Sequence, residues 1–132
     1  MIRKFHEAKM DNHSPVTLWG SGSPMREFLH VDDLASAVVF TLENTLDEHL
    51  YNVGSGTDLT IKSLAEMVQR IVGHKGEIIW DDTKPDGTPK KLMDSSKLNK
   101  LGWRSDIDLD SGIVNTYNWF LENNLNIKEI KI

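Results

Sequence analysis

Apolar residues recur at helical spacing most clearly in IKSLAEMVQRIV (61–72). Ile61, Leu64, Ala65, Val68, Ile71 and Val72 form one face there, Thr60 stands at the capping position, and Gly73 is placed to end the helix. A second helix is predicted over 109–124, with Leu109, Ile113, Tyr117, Phe120 and Leu121 inward and Asp108 as its cap. Residues 2–11 form a third, with Ile2, Phe5 and Ala8 on one side. Residues 34–44 form a fourth, with Leu34, Ala37, Val38 and Leu42 at helical spacing behind a cap at Asp32 or Asp33. A short helix starts at Ser95 or Ser96 and is stopped by Gly102. Strands are predicted at 16–20, 26–31, 49–56 and 77–80, and the tail from residue 125 is assigned to no element. The alternation of strands and helices gives an α/β class, but four strands are few for a complete doubly wound sheet.

Composition narrows the classes of function. The 132 residues suffice for one domain with a core, with 39% hydrophobic and 27% charged positions. A net charge of −5 argues against nonspecific nucleic-acid binding, while leaving room for a local basic pocket. The absence of cysteine excludes disulfides and thiolate zinc sites. No apolar run approaches the roughly 20 residues of a membrane helix, and MIRKFHEAKM carries no signal-peptide core, so a cytoplasmic protein is expected. IRKFHEAKM reads as the middle of an amphipathic helix with nothing ahead of it to cap the first amides, so the chain is expected to be a fragment of a longer one.

The candidate chemistry is sparse. GSG occurs at 20–22 and 54–56, yet neither is followed by the third glycine of a dinucleotide fingerprint, so both are read as turns. His30 and Asp32 share a face, and such a pair can ligate a metal, but no third ligand is indicated. The paired aspartates 32–33 and 81–82 are read as caps and solvated turns rather than acid–base pairs. There is no G-x-S-x-G, and neither tyrosine is followed four residues on by lysine. KPDGTPKK (84–91) gathers Lys84, Lys90 and Lys91 on a proline-stiffened loop, either an anion site or a solvated turn. Trp19 with Arg26 offers a stacking face and a phosphate fork, or else a core tryptophan near a surface arginine.

Four stretches together carry a resemblance: VTLWGSGSPMREFLHVDDLA, YNVGSGTDLTIKSLAEMV, KPDGTPKKLMDSSKLNKLGW and NTYNWFLEN. From about Ile2 to about Asn124 the chain resembles the C-terminal part of the GDP-L-fucose synthases, which are extended short-chain dehydrogenases/reductases. R-x-F-x-x-V-D-D-x-A and NVGSG are shared with many sugar-nucleotide epimerases and dehydratases. WGSGSPMREFLHVDD with KPDGTPKK downstream is more specific to this branch.

The resemblance implies a C-terminal substrate-binding lobe with a few short strands and four to five helices, lacking most of the Rossmann sheet. It implies a single domain over 1–132, cut from a two-domain enzyme. The parent reaction would be the NADPH-dependent epimerisation and reduction of GDP-4-keto-6-deoxy-D-mannose to GDP-L-fucose. The family's NADP site, catalytic serine, Tyr-x-x-x-Lys pair and epimerising cysteine and histidine match no position here, so no catalytic residue, no bound cofactor and no metal are expected. The family's substrate contacts match Lys4, Trp19, Arg26, Asp86 and Lys91. Lys4 stands where the family often has arginine and lacks its bidentate fork. Arg26 and Lys91 would neutralise the GDP diphosphate, and Trp19 would border the nucleotide. The expected partners are a GDP-sugar and the missing N-terminal NADP-binding domain, with self-association through apolar surface that the domain would cover. A stand-alone nucleotide-sugar-binding or interaction module, or the lobe of a GDP-mannose dehydratase or UDP-sugar epimerase, are the alternatives.

Overall fold

The helix with the clearest sequence pattern lies at the centre of the fold. A computed structural model describes residues 1–47 and 49–127, with side chains through Asn123. The elements run α1 (Ile2–Met10), β1 (Val16–Trp19), β2 (Met25–Glu27), α2 (Val31–Glu43), β3 (Asp58–Thr60), α3 (Ile61–Val72), β4 (Ile78–Asp81), β5 (Lys90–Lys91), α4 (Ser96–Leu101) and α5 (Leu109–Ile127). The predicted tail lies partly in α5 and, from residue 128, outside the described residues.

Helix α3 begins where Thr60 Oγ1 accepts the Ser63 amide at 3.0 Å and ends at Gly73, which is left-handed at φ +75°. Its buried face (Leu64, Ala65, Val68, Val72) packs on Phe5 and Ala8 of α1, Val16 and Leu18 of β1, and Ile113, Tyr117 and Phe120 of α5. Each such large apolar side chain contributes about 1.5–3 kcal/mol on burial. Helix α5 is capped as its sequence predicts, with Asp108 Oδ1 accepting the Ser111 amide at 2.9 Å.

Among the described residues the strands form two small open sheets. β1 and β4 run parallel, with Val16 opposite Ile78 and Trp19 opposite Asp81. β2 lies between β3, antiparallel, and β5, parallel. The result is an α/β fold with five helices and no continuous Rossmann sheet, as the sequence predicts. No helix of the described residues is long and apolar enough to cross a membrane.

Three local expectations change. The strand predicted over 26–31 stops at Glu27, because α2 already starts at Val31. The cap is neither aspartate but His30, whose Nδ1 accepts the Asp32 amide at 3.2 Å and whose carbonyl accepts the Leu34 amide. The strand predicted at 49–56 does not form among the described residues. Tyr51 and Val53 do turn alternate side chains inward, against a second, smaller cluster of Ala37, Leu98 and Trp103. An extended segment becomes a strand only when a neighbour pairs its amides and carbonyls, and this one has no sheet beside it. β3 and β5, three and two residues long, fall within stretches that sequence reads as turn and loop.

Candidate functional site

Parallel pairing of β1 and β4 sends the loops from their carboxyl ends, 20–24 and 82–89, off side by side. The Gly20 amide donates to the Asp81 carbonyl at 2.8 Å, extending the ladder by one residue. Asp86 then bridges the two loops. Its Oδ1 accepts the Ser21 amide at 2.9 Å, and its Oδ2 accepts the Ser21 hydroxyl at 2.6 Å. The Ser21 hydroxyl in turn accepts the Ser23 amide at 3.1 Å. The Ser21 hydroxyl, then its amide, hold the Asp86 carboxyl below its ordinary value of 3.8. Gly20 sits at φ +78°, and a side chain there would collide with the Asp86 carboxylate.

Cations collect along these loops. Arg26, on the central strand β2, donates through Nη1 to the Thr88 and Met25 carbonyls, each at 2.6 Å. That pins it to the 82–89 loop. Its Nε and Nη2 bond to no described residue and present the fork that grips a phosphate side-on. Arg26 and Lys91 are register partners across β2 and β5, so the two cations share one face of the sheet. Lys90, on the other face, is paired with Asp58 at 3.1 Å. Trp19 ends β1 and is 71% exposed, with the Lys84 ammonium 5.9 Å from its ring centroid. Lys4 reaches β1 from α1, donating to the Thr17 carbonyl at 3.3 Å, two residues before Trp19.

The five residues singled out by sequence therefore fall into a group and an outlier. Trp19, Arg26, Asp86 and Lys91 belong to one pair of loops and the strands those loops join across the two sheets. Lys4 meets the same strand further back, where a cavity is lined by Lys4, Glu7, Asp11 and Thr17. The more apolar concavities lie elsewhere. Two neighbouring cavities of about 500 Å³ each share His30, Thr116 and Trp119, and none of the five lines either. Their walls include the core residues Leu64, Ile113 and Phe120 and suit packing more than recognition of a charged ligand.

Two carboxylates have roles that sequence reasoning did not assign: Glu27 was not singled out, and Asp33 was read as a helix cap. Glu27, next to Arg26, accepts the Gly56 amide at 2.7 Å and the Met93 amide at 3.1 Å. A side chain at Gly54 would collide with it. Asp33 is 4% exposed and accepts the amides of Asp106 and Ile107 at 3.0 and 3.1 Å, tying α2 to the start of α5. The available signal was redundancy: two adjacent aspartates precede a helix that needs one cap. His30 Nδ1 and Asp32 Oδ2 lie 3.7 Å apart, and no group of three metal-binding side chains occurs among the described residues.

Neither GSG turn suits a dinucleotide pyrophosphate. The first is held by Asp86, and the second already donates the Gly56 amide to the Glu27 carboxylate, an anion where a phosphate would have to sit.

Comparison with known proteins gives a consistent picture. The NAD dependent epimerase/dehydratase family matches residues 1–54. The chain is 53% identical over 129 residues to a probable GDP-L-fucose synthase 1 of Oryza sativa subsp. japonica, covering 98% of this chain and 39% of that protein. It is 58% identical over 123 residues to a putative GDP-L-fucose synthase 2 of Arabidopsis thaliana, covering 93% and 38%. The crystal structure of a GDP-L-fucose synthetase from Naegleria fowleri bound to NADP superposes with a TM-score of 0.87 at 25% identity, over 94% of this chain and 39% of that one. The chain thus spans about two fifths of the length of the curated relatives it matches.

Proposed function

We propose that this chain, which belongs to the GDP-L-fucose synthases among the extended short-chain dehydrogenases/reductases, is the C-terminal, GDP-sugar-binding portion of such an enzyme. The observation that carries the reading is the Arg26–Lys91 pair, two register partners on one sheet face, with the exposed Trp19 at the start of the loop that leads into the strand of Arg26. A nucleoside diphosphate needs both features: cations for its phosphates and an aromatic border for its base. Lys4 and Asp86 complete the proposed edge.

In the proposed whole protein, GDP-4-keto-6-deoxy-D-mannose is epimerised beside its ketone and then reduced. NADPH, when bound, supplies the hydride for that reduction. The residues present here do not fit that cofactor, and no step is assigned to it. What this chain contributes is the hold on the diphosphate, which fixes the sugar relative to acid–base groups elsewhere in the protein. Acting on a soluble nucleotide sugar, the protein is assigned to the cytoplasm.

The apolar face beyond α2 is the proposed seat of the NADP-binding portion. Val31, Leu34, Val38 and Leu42 line it.

Isothermal titration with GDP and UDP tests the reading. GDP is expected to bind, UDP more weakly, and the Arg26→Ala/Lys91→Ala double variant to lose at least about tenfold in affinity. Equal affinity for UDP would favour a UDP-sugar lobe, and GDP binding indifferent to both substitutions would remove the proposed site. The isolated chain is expected to oxidise no NADPH with the keto-sugar present; turnover would contradict the division of labour.

A further inference from the structure

Glu27 follows Arg26 on β2, so its side chain stands on the opposite face of the sheet from the Arg26–Lys91 pair. Both of its carboxylate oxygens are in use. Oε1 accepts the Gly56 amide at 2.7 Å, in the turn that leads to β3. Oε2 accepts the Met93 amide at 3.1 Å, two residues past the end of β5. One side chain thus joins the two segments that flank β2. The fit is close: a Cβ added at Gly54 would lie 2.4 Å from Oε1.

β5 depends on such ties. It is two residues long and, among the described residues, pairs with β2 alone. Ahead of it, the Met25 amide donates to the Pro89 carbonyl at 2.8 Å and Arg26 Nη1 donates to the Thr88 carbonyl at 2.6 Å. Beyond Lys91, evenly spaced parallel pairing would take its next bond from the Met93 amide to β2. That amide donates to the Glu27 carboxylate, which closes the ladder just past Lys91. The Lys90–Asp58 pair adds a tie on the same face, but from an exposed and flexible ammonium.

We infer that Glu27 is a positioning residue for the diphosphate site: from the far face of the sheet it fixes the register of β5 and so keeps Lys91 opposite Arg26. The inference rests on the GDP-binding reading for its functional meaning, and its geometric half has a readout that needs no ligand.

The test is a set of double-mutant cycles with Lys91→Ala on the chain as it stands. Glu27→Gln keeps the shape of the side chain but leaves one acceptor oxygen where there were two, and removes a negative charge. Gly54→Ala displaces the carboxylate and keeps the charge. Without ligand, NMR amide exchange at Gly56 and Met93 is expected to speed up in both variants. Unaltered exchange at Met93 in both would overturn the inference. With ligand, calorimetry is expected to show GDP affinity reduced about tenfold in each variant, although Glu27→Gln takes a negative charge away from the neighbourhood of an anion. Lys91→Ala is expected to lose a similar factor, and neither variant to lose more when combined with it. A loss that persists in full without Lys91 means that Glu27 acts on the ligand or on the fold at large. Affinity unchanged or raised in both variants means that β5 keeps its place without the carboxylate. Either result overturns the inference. If the unaltered chain binds no GDP, the functional reading fails by itself, and exchange at Met93 still decides whether Glu27 holds β5.

Discussion

Two helices of this chain repeat apolar residues at helical spacing and meet opposite fates. Helix α3 buries Leu64, Ala65, Val68 and Val72 against three other elements. Helix α2 carries Val31, Leu34, Val38 and Leu42 on a side left largely exposed, with Leu42 82% exposed. Pattern separates them only in part: α3 has one clean apolar face, whereas α2 is apolar on more than one side. The difference lies in the supply of partners. α3 has α1, α5 and β1 around it, whereas among the described residues the apolar packing of α2 is a small cluster in which its Ala37 meets Leu98 and Trp103. α2 is held in place by polar devices instead: the His30 cap, the Asp33 carboxylate on two amides, and Trp103 donating to the Ser36 hydroxyl. A helix with an apolar outer face and a hydrogen-bonded inner anchorage is suited to receive a further layer of protein.

The comparison breaks if the two helices prove equally costly to damage. Phe5, fully buried against α3, should cost about 3–5 kcal/mol when changed to alanine, while Leu42→Ala should stay within about 0.5 kcal/mol. Urea unfolding checks both, and similar costs would mean that the α2 face is not free.

Asp33→Ala should cost about 3 kcal/mol, because a buried carboxylate's two charge-assisted bonds disappear and two amides lose their acceptor. Asp32→Ala, at the exposed position beside it, should cost under about 0.5 kcal/mol. The pair distinguishes anchorage from capping, and equal losses would restore the simpler view of both aspartates as helix-start residues.

Val38→Lys with Leu42→Lys should abolish concentration-dependent association in light scattering without lowering the thermal midpoint. Association that survives both lysines would place the sticky surface elsewhere.

The smallest effect concerns pH. The Ser111 amide holds the exposed Asp108 carboxyl below 3.8 at the start of α5, and the Ser96 hydroxyl and amide do the same for Asp94 before α4. Each carboxylate binds fewer protons folded than unfolded around that value. Its contribution is therefore present in full above 3.8 and is lost as pH falls through the lower folded value. The urea midpoint should be flat from pH 7 to about 5 and fall below 4, less steeply in Asp108→Asn. An unchanged slope in that variant would remove the cap from the account.

Much of the fold was legible because its signals are local. Thr60 and Gly73 bracket α3 at both ends, and β1 and β4 are short β-prone runs closed by turns. The rest depends on neighbours far away in sequence. β5 exists only because Lys90 and Lys91 lie beside Met25 and Arg26, and 49–56 lacks strand structure because no described strand pairs with it. His30 as a cap was missed because two better capping residues follow it. The site divides in the same way. Arg26 and Lys91 were singled out through a resemblance, and their pairing is a matter of register that no spacing reveals. Asp86 was singled out for the same reason, but its engagement with Ser21 required the parallel strands that bring both loops together.

The proposal is that the two faces have different tasks: a charged loop edge for a nucleotide sugar and an apolar helix face for protein. Titrating GDP into the isotopically labelled chain, followed by NMR, tests it most directly. Shifts are expected at Trp19, Arg26, Lys91 and 82–89, with α2 and Trp119 unmoved. Shifts centred on α2 and Trp119, or none at Arg26 and Lys91 at saturating GDP, would contradict it.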